Sequence, residues 1–355
     1  MSFLLACLFN RTRYAIISRF HELCTSCCHC QRKNKWHNDS IPYSYIWVTE
    51  IHVGMINNNS IYIVGFPKSG TVWLTRLICD GMQAPRASGM PGDEEKVKRT
   101  NAMLSLDEAA VPAIRHTHLL PHDLANYRNE ECVLGIYIYR DLRDVLISGF
   151  MHKHSTEHEV LLTRRDETSL REALTDPWVV LKRKYWRHIS RRSFGRFATL
   201  MCQEGWHPFG TWGEHIKQWR AHAAANTRSR IAFISYEELS NDTLRTLKKA
   251  IGVLGIEIPV HEQLVTVVER YSAERLLKAR LSHDAVDRPL DAYAPGTLRK
   301  AIVGDYRNYM RRAEACLVEN TNGKMLRDLG YVDNGNWINE LLYEHDRLKA
   351  PQRQN

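Results

Sequence analysis

Apolar and polar positions along this chain fall into two alternating rhythms, and the alternation begins at Ser60. Four short apolar runs, 60–66, 112–117, 133–139 and 231–235, are bounded by turn or helix signals and read as strands. Apolar spacing of three and four predicts helices over 70–82, 142–152, 211–225, 242–254, 259–269, 272–281 and 311–329. Strands alternating with helices predict an α/β fold in three layers, with a mainly parallel central sheet covered by helices on both faces. No internal repeat interrupts this pattern.

The ends of the chain keep a different rhythm. Residues 1–56 have irregular periodicity and read as a basic, cysteine-rich extension, poorly ordered in part; Arg11, Arg13, Arg19, Arg32, Lys33 and Lys35 stand there against Glu22 and Asp39. Residues 57–335 read as the main domain, and 336–355 as a polar tail, because no apolar face is seen after Val332. A basic, aromatic-rich insert at about 164–210 breaks the alternation. Lys182, Arg183, Lys184, Arg187, Arg191, Arg192 and Arg196 run there without an acid, interleaved with Trp178, Tyr185, Trp186, Phe194 and Phe197. Most of those charges read as a solvated helix face. The segment as a whole reads as a lid over an acceptor site.

Composition narrows the partners more than the fold. Apolar and charged contents of 44% and 25% are ordinary for a globular protein. A net charge of +9 favours an anionic partner without choosing among nucleotide, sulfated or acidic glycan, nucleic acid and membrane surface. Nine cysteines, an odd number without a paired framework, argue for a reducing compartment and a cytoplasmic location. No run of eighteen apolar residues predicts a membrane-crossing helix. The apolar residues 1–9 lack the features of a cleaved signal.

The candidate chemistry lies in two phosphate-reading segments. The first, Ile61 to Trp73, is a buried strand, a tight loop Gly65-Phe66-Pro67-Lys68-Ser69-Gly70 and a helix start at Thr71. Such a loop turns backbone N–H groups and a helix N-terminus toward one point, which is an anion site. Lys68 adds a charge, and Ser69 and Thr71 add hydroxyls. The second, Ile136 to Ser148, is a strand ending at Arg140 with Ser148 two helical turns beyond, a guanidinium and a hydroxyl suited to a second phosphate. Two phosphate sites at opposite ends of a ribose suit a 3′,5′-bisphosphorylated adenosine better than ATP. The first loop is not a Walker A motif, because its lysine precedes the glycine instead of following it.

The arrangement Pro67-Lys68-Ser69-Gly70-Thr71-x-Trp73 resembles the 5′-phosphosulfate loop of the sulfotransferases that use 3′-phosphoadenylyl sulfate (PAPS). Four further segments follow in that family's order. Thr117-His118-Leu119-Leu120-Pro121 resembles its catalytic strand end, and Arg140 with Ser148 its 3′-phosphate strand and helix. Ile234-Ser235-Tyr236-Glu237-Glu238-Leu239 resembles its adenine-contacting segment. Leu298-Arg299-Lys300-Ala301, with Gly304-Asp305-Tyr306-Arg307-Asn308 behind it, resembles its Arg-Lys-Gly loop. The likeness spans about 60–330. It implies a P-loop-like fold and a soluble enzyme that moves a sulfuryl group from PAPS to a hydroxyl or amine. Adenosine 3′,5′-bisphosphate (PAP) is the implied product, and no metal is implied. His118 is then the base and Lys68 the catalytic cation. Lys68, Ser69, Gly70, Thr71, Val72, Trp73, Arg140, Ser148, Tyr236, Leu298, Arg299, Lys300 and Ala301 line the donor, with Trp73 stacked on the adenine. The implied acceptor is a small molecule, lipid or glycan, an anionic one being suited to the basic insert, and nucleic acid is not expected. Peripheral membrane contact through the N-terminus stays open.

Four departures from the family pattern matter. His116 stands where the family has a lysine two residues before the catalytic histidine, which implies a weaker or pH-dependent active-site cation there; by itself it reads as a surface or satisfied core residue. Val72 replaces a phosphate-binding threonine. Ala301 replaces the loop glycine, a change tolerable at negative φ and costly at positive φ. Residues 307–315 lack the centre of the family's dimer motif, which leaves the oligomeric state open. The cluster Cys24-x-x-Cys27-Cys28-x-Cys30, with His21, His29 and His37, fits no closed zinc pattern and reads as a leader without a metal site; zinc ligation and S-acylation are the alternatives. Two other functions compete. One is a nucleotide kinase-like phosphotransferase, whose Walker A loop and magnesium-holding residues are not found. The other is a non-catalytic nucleotide-binding module, which would not need His118.

Overall fold

The computed structural model describes residues 60–104, 112–128, 132–154, 177–257, 259–281 and 300–342. The N-terminal extension with its cysteine cluster, Leu298, Arg299 and the first part of the insert lie outside them. Five parallel strands form one sheet: β1 (Ser60–Val64), β2 (Arg86–Ala87), β3 (Ala113–Thr117), β4 (Leu134–Tyr139) and β5 (Arg230–Ser235), in the order β2-β3-β1-β4-β5. β1 is central, with Val64 opposite both Thr117 and Tyr137, so β1, β3 and β4 end side by side.

Strand alternation separates the two halves of the core. Side chains two apart share a face of a sheet. Ile61, Ile63, Ile136, Ile138, Ala232 and Ile234 therefore face one layer, packed with Leu74, Leu77 and Ile78 of α1 (Thr71–Met82) and Leu247, Ala250 and Ile251 of α8 (Thr243–Leu254). Tyr62, Val64 and Tyr137 face the other. That layer holds Phe150 of α4 (Leu142–His154), Phe194 of α5 (Pro177–Gln203), Trp212 and Trp219 of α6 (Trp212–Ala225), and Val318 of α11 (Arg312–Asp328). Three layers with both sheet faces covered are the expected architecture.

The differences have local causes. β1 stops at Val64 rather than residue 66 because the loop begins at Gly65, where a Cβ would run into the Ile138 carbonyl. Several elements carry too little apolar periodicity to be read: β2, α2 (Glu94–Leu104), α3 (Pro121–Arg128) and α7 (Tyr236–Asn241). α9 (His261–Arg270) and α10 (Ala273–Leu281) match the expected helices to within two residues. In the insert, Phe194 and Phe197 are core residues against Phe150, not parts of a lid. Arg191 is buried there and donates to the Tyr309 carbonyl. The tail is not wholly polar: Trp337 and Leu341, four apart and hence on one helical face, close the core.

Helix starts are sharply defined where they aim the site. Ser235 ends β5 and caps α7 by a reciprocal pair: its hydroxyl accepts from the Glu238 N–H at 3.0 Å, and the Glu238 carboxylate accepts from the Ser235 N–H at 3.0 Å. This pair fixes the direction in which Tyr236 leaves the sheet. Ser235→Ala should cost about 1 kcal/mol. Urea unfolding checks it: the midpoint should fall with the slope unchanged, and an unmoved midpoint would show that the cap does not hold α7.

Candidate functional site

The loop between β1 and α1 is built by close approach. Ser69 N–H donates to the Phe66 carbonyl at 3.1 Å, closing a turn that places Lys68 at φ 72° and Gly70 at φ 97°. Gly70 meets that need without a Cβ, which would lie 2.6 Å from the Tyr236 ring. Lys68 is a non-glycine residue in left-handed backbone, a strained placement of the kind found at functional sites. α1 starts with no side-chain cap and no acid in its first turn, so its N-terminal N–H groups and dipole face the loop uncompensated. Ser69 is fully buried, and its Oγ has no hydrogen-bond partner among the described residues. Burial, with the charge of Arg140 nearby, brings the Lys68 ammonium down to about 8.

Arg140 leaves the end of β4 and joins this loop. Its guanidinium lies 4.2 Å from the centre of the Tyr236 ring, a cation–π contact. Nη2 donates to Asp144 Oδ2 at 3.5 Å and to the Ile302 carbonyl at 3.3 Å, while Nε is buried with no partner among the described residues. Trp73 packs edge-on against the same tyrosine, with centroids 5.8 Å apart, and its indole N–H donates to the Tyr271 carbonyl at 2.9 Å. Lys68, Gly70, Trp73, Arg140 and Tyr236 thus form one cluster. Val72 and Ser148 are half-buried on α1 and α4.

Sequence reasoning passed over the residue that organises this side. Asp144 is 1% exposed, and its carboxylate accepts from Gly304 N–H at 2.8 Å and Tyr306 N–H at 2.9 Å as well as from Arg140. Burial raises its pKa; Arg140 and the two backbone donors oppose that rise. One carboxylate therefore fixes both Arg140 and the segment carrying Lys300 and Ala301. The signal was the spacing of four from Arg140. Lys300 itself donates to the Tyr309 hydroxyl at 2.6 Å and lies 3.9 Å from Asp305.

His118 stands half-buried just past β3. Its Nδ1 is 2.6 Å from the Gly65 carbonyl, which can only accept, so Nδ1 carries the hydrogen and Nε2 is the basic nitrogen of the neutral ring. A row of ring donors on α6 holds the strand ends behind it. Trp212 Nε1 donates to the Arg140 carbonyl at 3.0 Å, His215 Nε2 to the His118 carbonyl at 3.0 Å, and Trp219 Nε1 to the Leu119 carbonyl at 3.1 Å. Residues 212, 215 and 219 are spaced three and four apart, on one helix face. The Tyr137 hydroxyl donates to His215 Nδ1 at 2.7 Å, and burial takes this histidine down to about 4, so it stays neutral. None of these three was singled out beforehand; ring N–H groups at that spacing were the available signal.

Ala301 has φ 55°, the costly case for a residue replacing glycine. The left-handed penalty is roughly 1–2 kcal/mol, and the unfolded-state entropy that alanine saves is about 0.4–1 kcal/mol. The strain is the larger, so Ala301→Gly should stabilise the protein by up to about 1 kcal/mol. A thermal unfolding midpoint lower than that of the parent chain would show that the strain is not there.

A tight loop before an uncapped helix start at the carboxyl end of a parallel sheet, an arginine from the next strand and a histidine at a strand end define a class: an α/β protein with a ligand crevice at the ends of its strands. The family model described as sulfotransferase domain matches residues 58–330, and the chain belongs to that family, whose enzymes transfer sulfuryl groups. It is 24% identical over 277 residues to Sulfotransferase 2A1 of Homo sapiens, covering 74% of this chain and 82% of that protein. Against Sulfotransferase 1E1 of Cavia porcellus it is 26% identical over 265 residues, covering 71% of this chain and 77% of that protein. Among solved structures, mouse sulfotransferase SULT7A1 complexed with PAP superposes with a TM-score of 0.49 at 22% identity, covering 80% of this chain and 89% of that one. Among the described residues no helix is long and apolar enough to cross a membrane, and no His/Cys/Asp/Glu group could hold a metal.

Proposed function

We propose that this protein transfers the sulfuryl group of PAPS to a hydroxyl or amine of a small acceptor and releases PAP. The observation that carries this is a pair of buried donors, Ser69 Oγ and Arg140 Nε, that have no partner among the described residues and lie on two loops at the same end of the sheet. A buried polar atom left unpaired costs about 1–3 kcal/mol. Two of them beside a desolvated lysine and an uncapped helix N-terminus fit an anion with two charged ends. In this reading Lys68, Ser69, Gly70, Thr71 and Val72 hold the 5′-phosphosulfate end and Trp73 stacks on the adenine, while Arg140, Ser148, Arg299, Lys300 and Ala301 hold the 3′-phosphate. Tyr236 braces Arg140 beside the adenine.

The transfer follows from these placements. His118 accepts the acceptor proton at Nε2, and the Gly65 carbonyl keeps its ring oriented through Nδ1. The acceptor atom bonds to sulfur as the bond from sulfur to the bridging oxygen breaks. That oxygen leaves with the electron pair, and Lys68 and the α1 N-terminus neutralise its charge. The buried thiols of Cys79 and Cys202, pushed up to about 12 and about 11 by burial, suit the reducing, cytoplasmic setting read from the sequence.

Titration calorimetry tests the donor. PAP should bind far more tightly than ATP, and equal affinity would favour a phosphotransferase. Bound anion restores the full charge of Lys68, whose free-state value is about 8. Above that pH, binding must therefore take up a proton, and PAP affinity should fall as pH rises toward 10. Buffers of different ionisation enthalpy should report the uptake, and Lys68→Met should abolish it. Proton release instead would contradict the assignment.

His118→Ala tests the base. PAP affinity should change little, because the nucleotide is held by other groups, while kcat with a turned-over acceptor should fall about 10²-fold or more. An unchanged kcat would move the proton transfer elsewhere.

A further inference from the structure

His116 lies at a junction that the proposed reaction does not use. It is 6% exposed on β3, two residues before His118, and the two rings meet edge to face with centroids 4.7 Å apart. Its Nε2 is 2.9 Å from Thr71 Oγ1, the hydroxyl of the first residue of α1. On its other side, Nδ1 faces Arg86 Nη2 of β2 at 3.5 Å. Arg86 is held in turn by Asp93, whose Oδ2 is 3.4 Å from that same Nη2. Asp93 is anchored by the Ser88 hydroxyl at 2.6 Å and the Gly89 N–H at 3.4 Å. Thr71, Arg86, Asp93 and His116 are all buried, so the row from Asp93 to Thr71 runs under the loop away from water.

Donor and acceptor chemistry gives this row a direction. A guanidinium has hydrogens to donate and nothing to accept with. His116 Nδ1, facing it, must be the lone-pair nitrogen, since either an Nδ1–H tautomer or an imidazolium would set N–H against N–H. Nε2 then carries the hydrogen and donates to Thr71 Oγ1. A hydroxyl that accepts on one side keeps its own hydrogen for another partner. We propose that His116 is a positioning residue: as a neutral, Nε2-protonated imidazole it fixes Thr71 as a donor toward the anion held by the Lys68–Gly70 loop. The inference rests on the donor-site reading above. It makes the position a neutral orienting group, where a lysine would bring a charge.

Two measurements test it, and they fail separately. The first needs no nucleotide. Long-range ¹H–¹⁵N correlation spectra of the full chain labelled with ¹⁵N-histidine, assigned with His116→Gln, should show His116 at pH 7 protonated at Nε2 and bare at Nδ1. An Nδ1–H tautomer or an imidazolium overturns the proposal whatever the protein binds. The second is a double-mutant cycle in the enzyme. His116→Ala and Thr71→Val should each lower kcat/KM for PAPS about tenfold or more, and the double variant should be no worse than the poorer single one. His116→Gln, whose amide N–H can reach where Nε2 lies, should recover most of the loss. Losses that multiply in the double variant, or a folded His116→Gln protein as impaired as His116→Ala, would show that His116 acts by packing alone. Tight binding of PAP to the parent chain keeps this outcome distinct from failure of the donor-site reading.

Discussion

The site depends on how the carbonyls at the strand ends are satisfied. Inside the sheet each C=O has a neighbour in the ladder; one residue past Thr117 or Tyr139 it has none, and a buried orphan carbonyl is costly. α6 answers with ring N–H groups, from Trp212 to Arg140, from His215 to His118 and from Trp219 to Leu119. The two residues given the chemical roles, His118 and Arg140, are thereby held by their own backbones before their side chains meet anything. Tyr137 extends the arrangement by fixing the His215 tautomer from within the sheet. A helix on one face thus aims groups at the sheet's edge, as rigid elements do better than loops.

Around that frame the protein gathers like charges and unpaired donors, which works against its own stability. Lys68 is desolvated beside Arg140, Ser69 and Arg140 each leave a buried donor with no partner among the described residues, and Lys68 and Ala301 take left-handed backbone. None of these would survive in a region selected for stability alone. The two layers of aliphatic and aromatic side chains on the sheet supply the surplus against which such local costs can stand. Asp144 is an acid placed among these cations, and its carboxylate is taken up by backbone donors and Arg140.

The parts legible in the sequence are those written in local spacing. Strand alternation at Ile61–Val64 and Ile136–Tyr139 gave both sheet and layers, and the loop Gly65–Gly70 revealed itself by its order of residue types. What stayed hidden depends on partners far along the chain. Asp144 lay inside a segment already under scrutiny, yet its purpose comes from N–H groups at 304 and 306. His116 reads in the sequence as a surface or core histidine, or as a cation in place of a lysine; its neighbours, the hydroxyl of Thr71 and Arg86, come from α1 and β2, elsewhere along the chain. Trp337 and Leu341 looked like a tail because the apolar residues there, Trp337, Ile338, Leu341, Leu342 and Tyr343, span only about two helical turns, too few to show a period. β2, at two residues, is a strand only because β3 is there to pair with it.

The contact between Asp144 and the backbone at Gly304 and Tyr306 spans 160 and 162 residues. During synthesis, the β1 loop, Arg140, α6 and Tyr236 all leave the ribosome well before those two amides exist. Until then the Asp144 carboxylate lacks two of its donors, and Arg140 lacks the Ile302 carbonyl that helps to hold it. The growing chain therefore carries the β1 loop and Arg140 before the guanidinium is locked in place. Arg140 and Asp144 reach their final geometry only when the segment just before α11 docks, so this corner of the molecule is completed by residues far along the chain from the loop it faces.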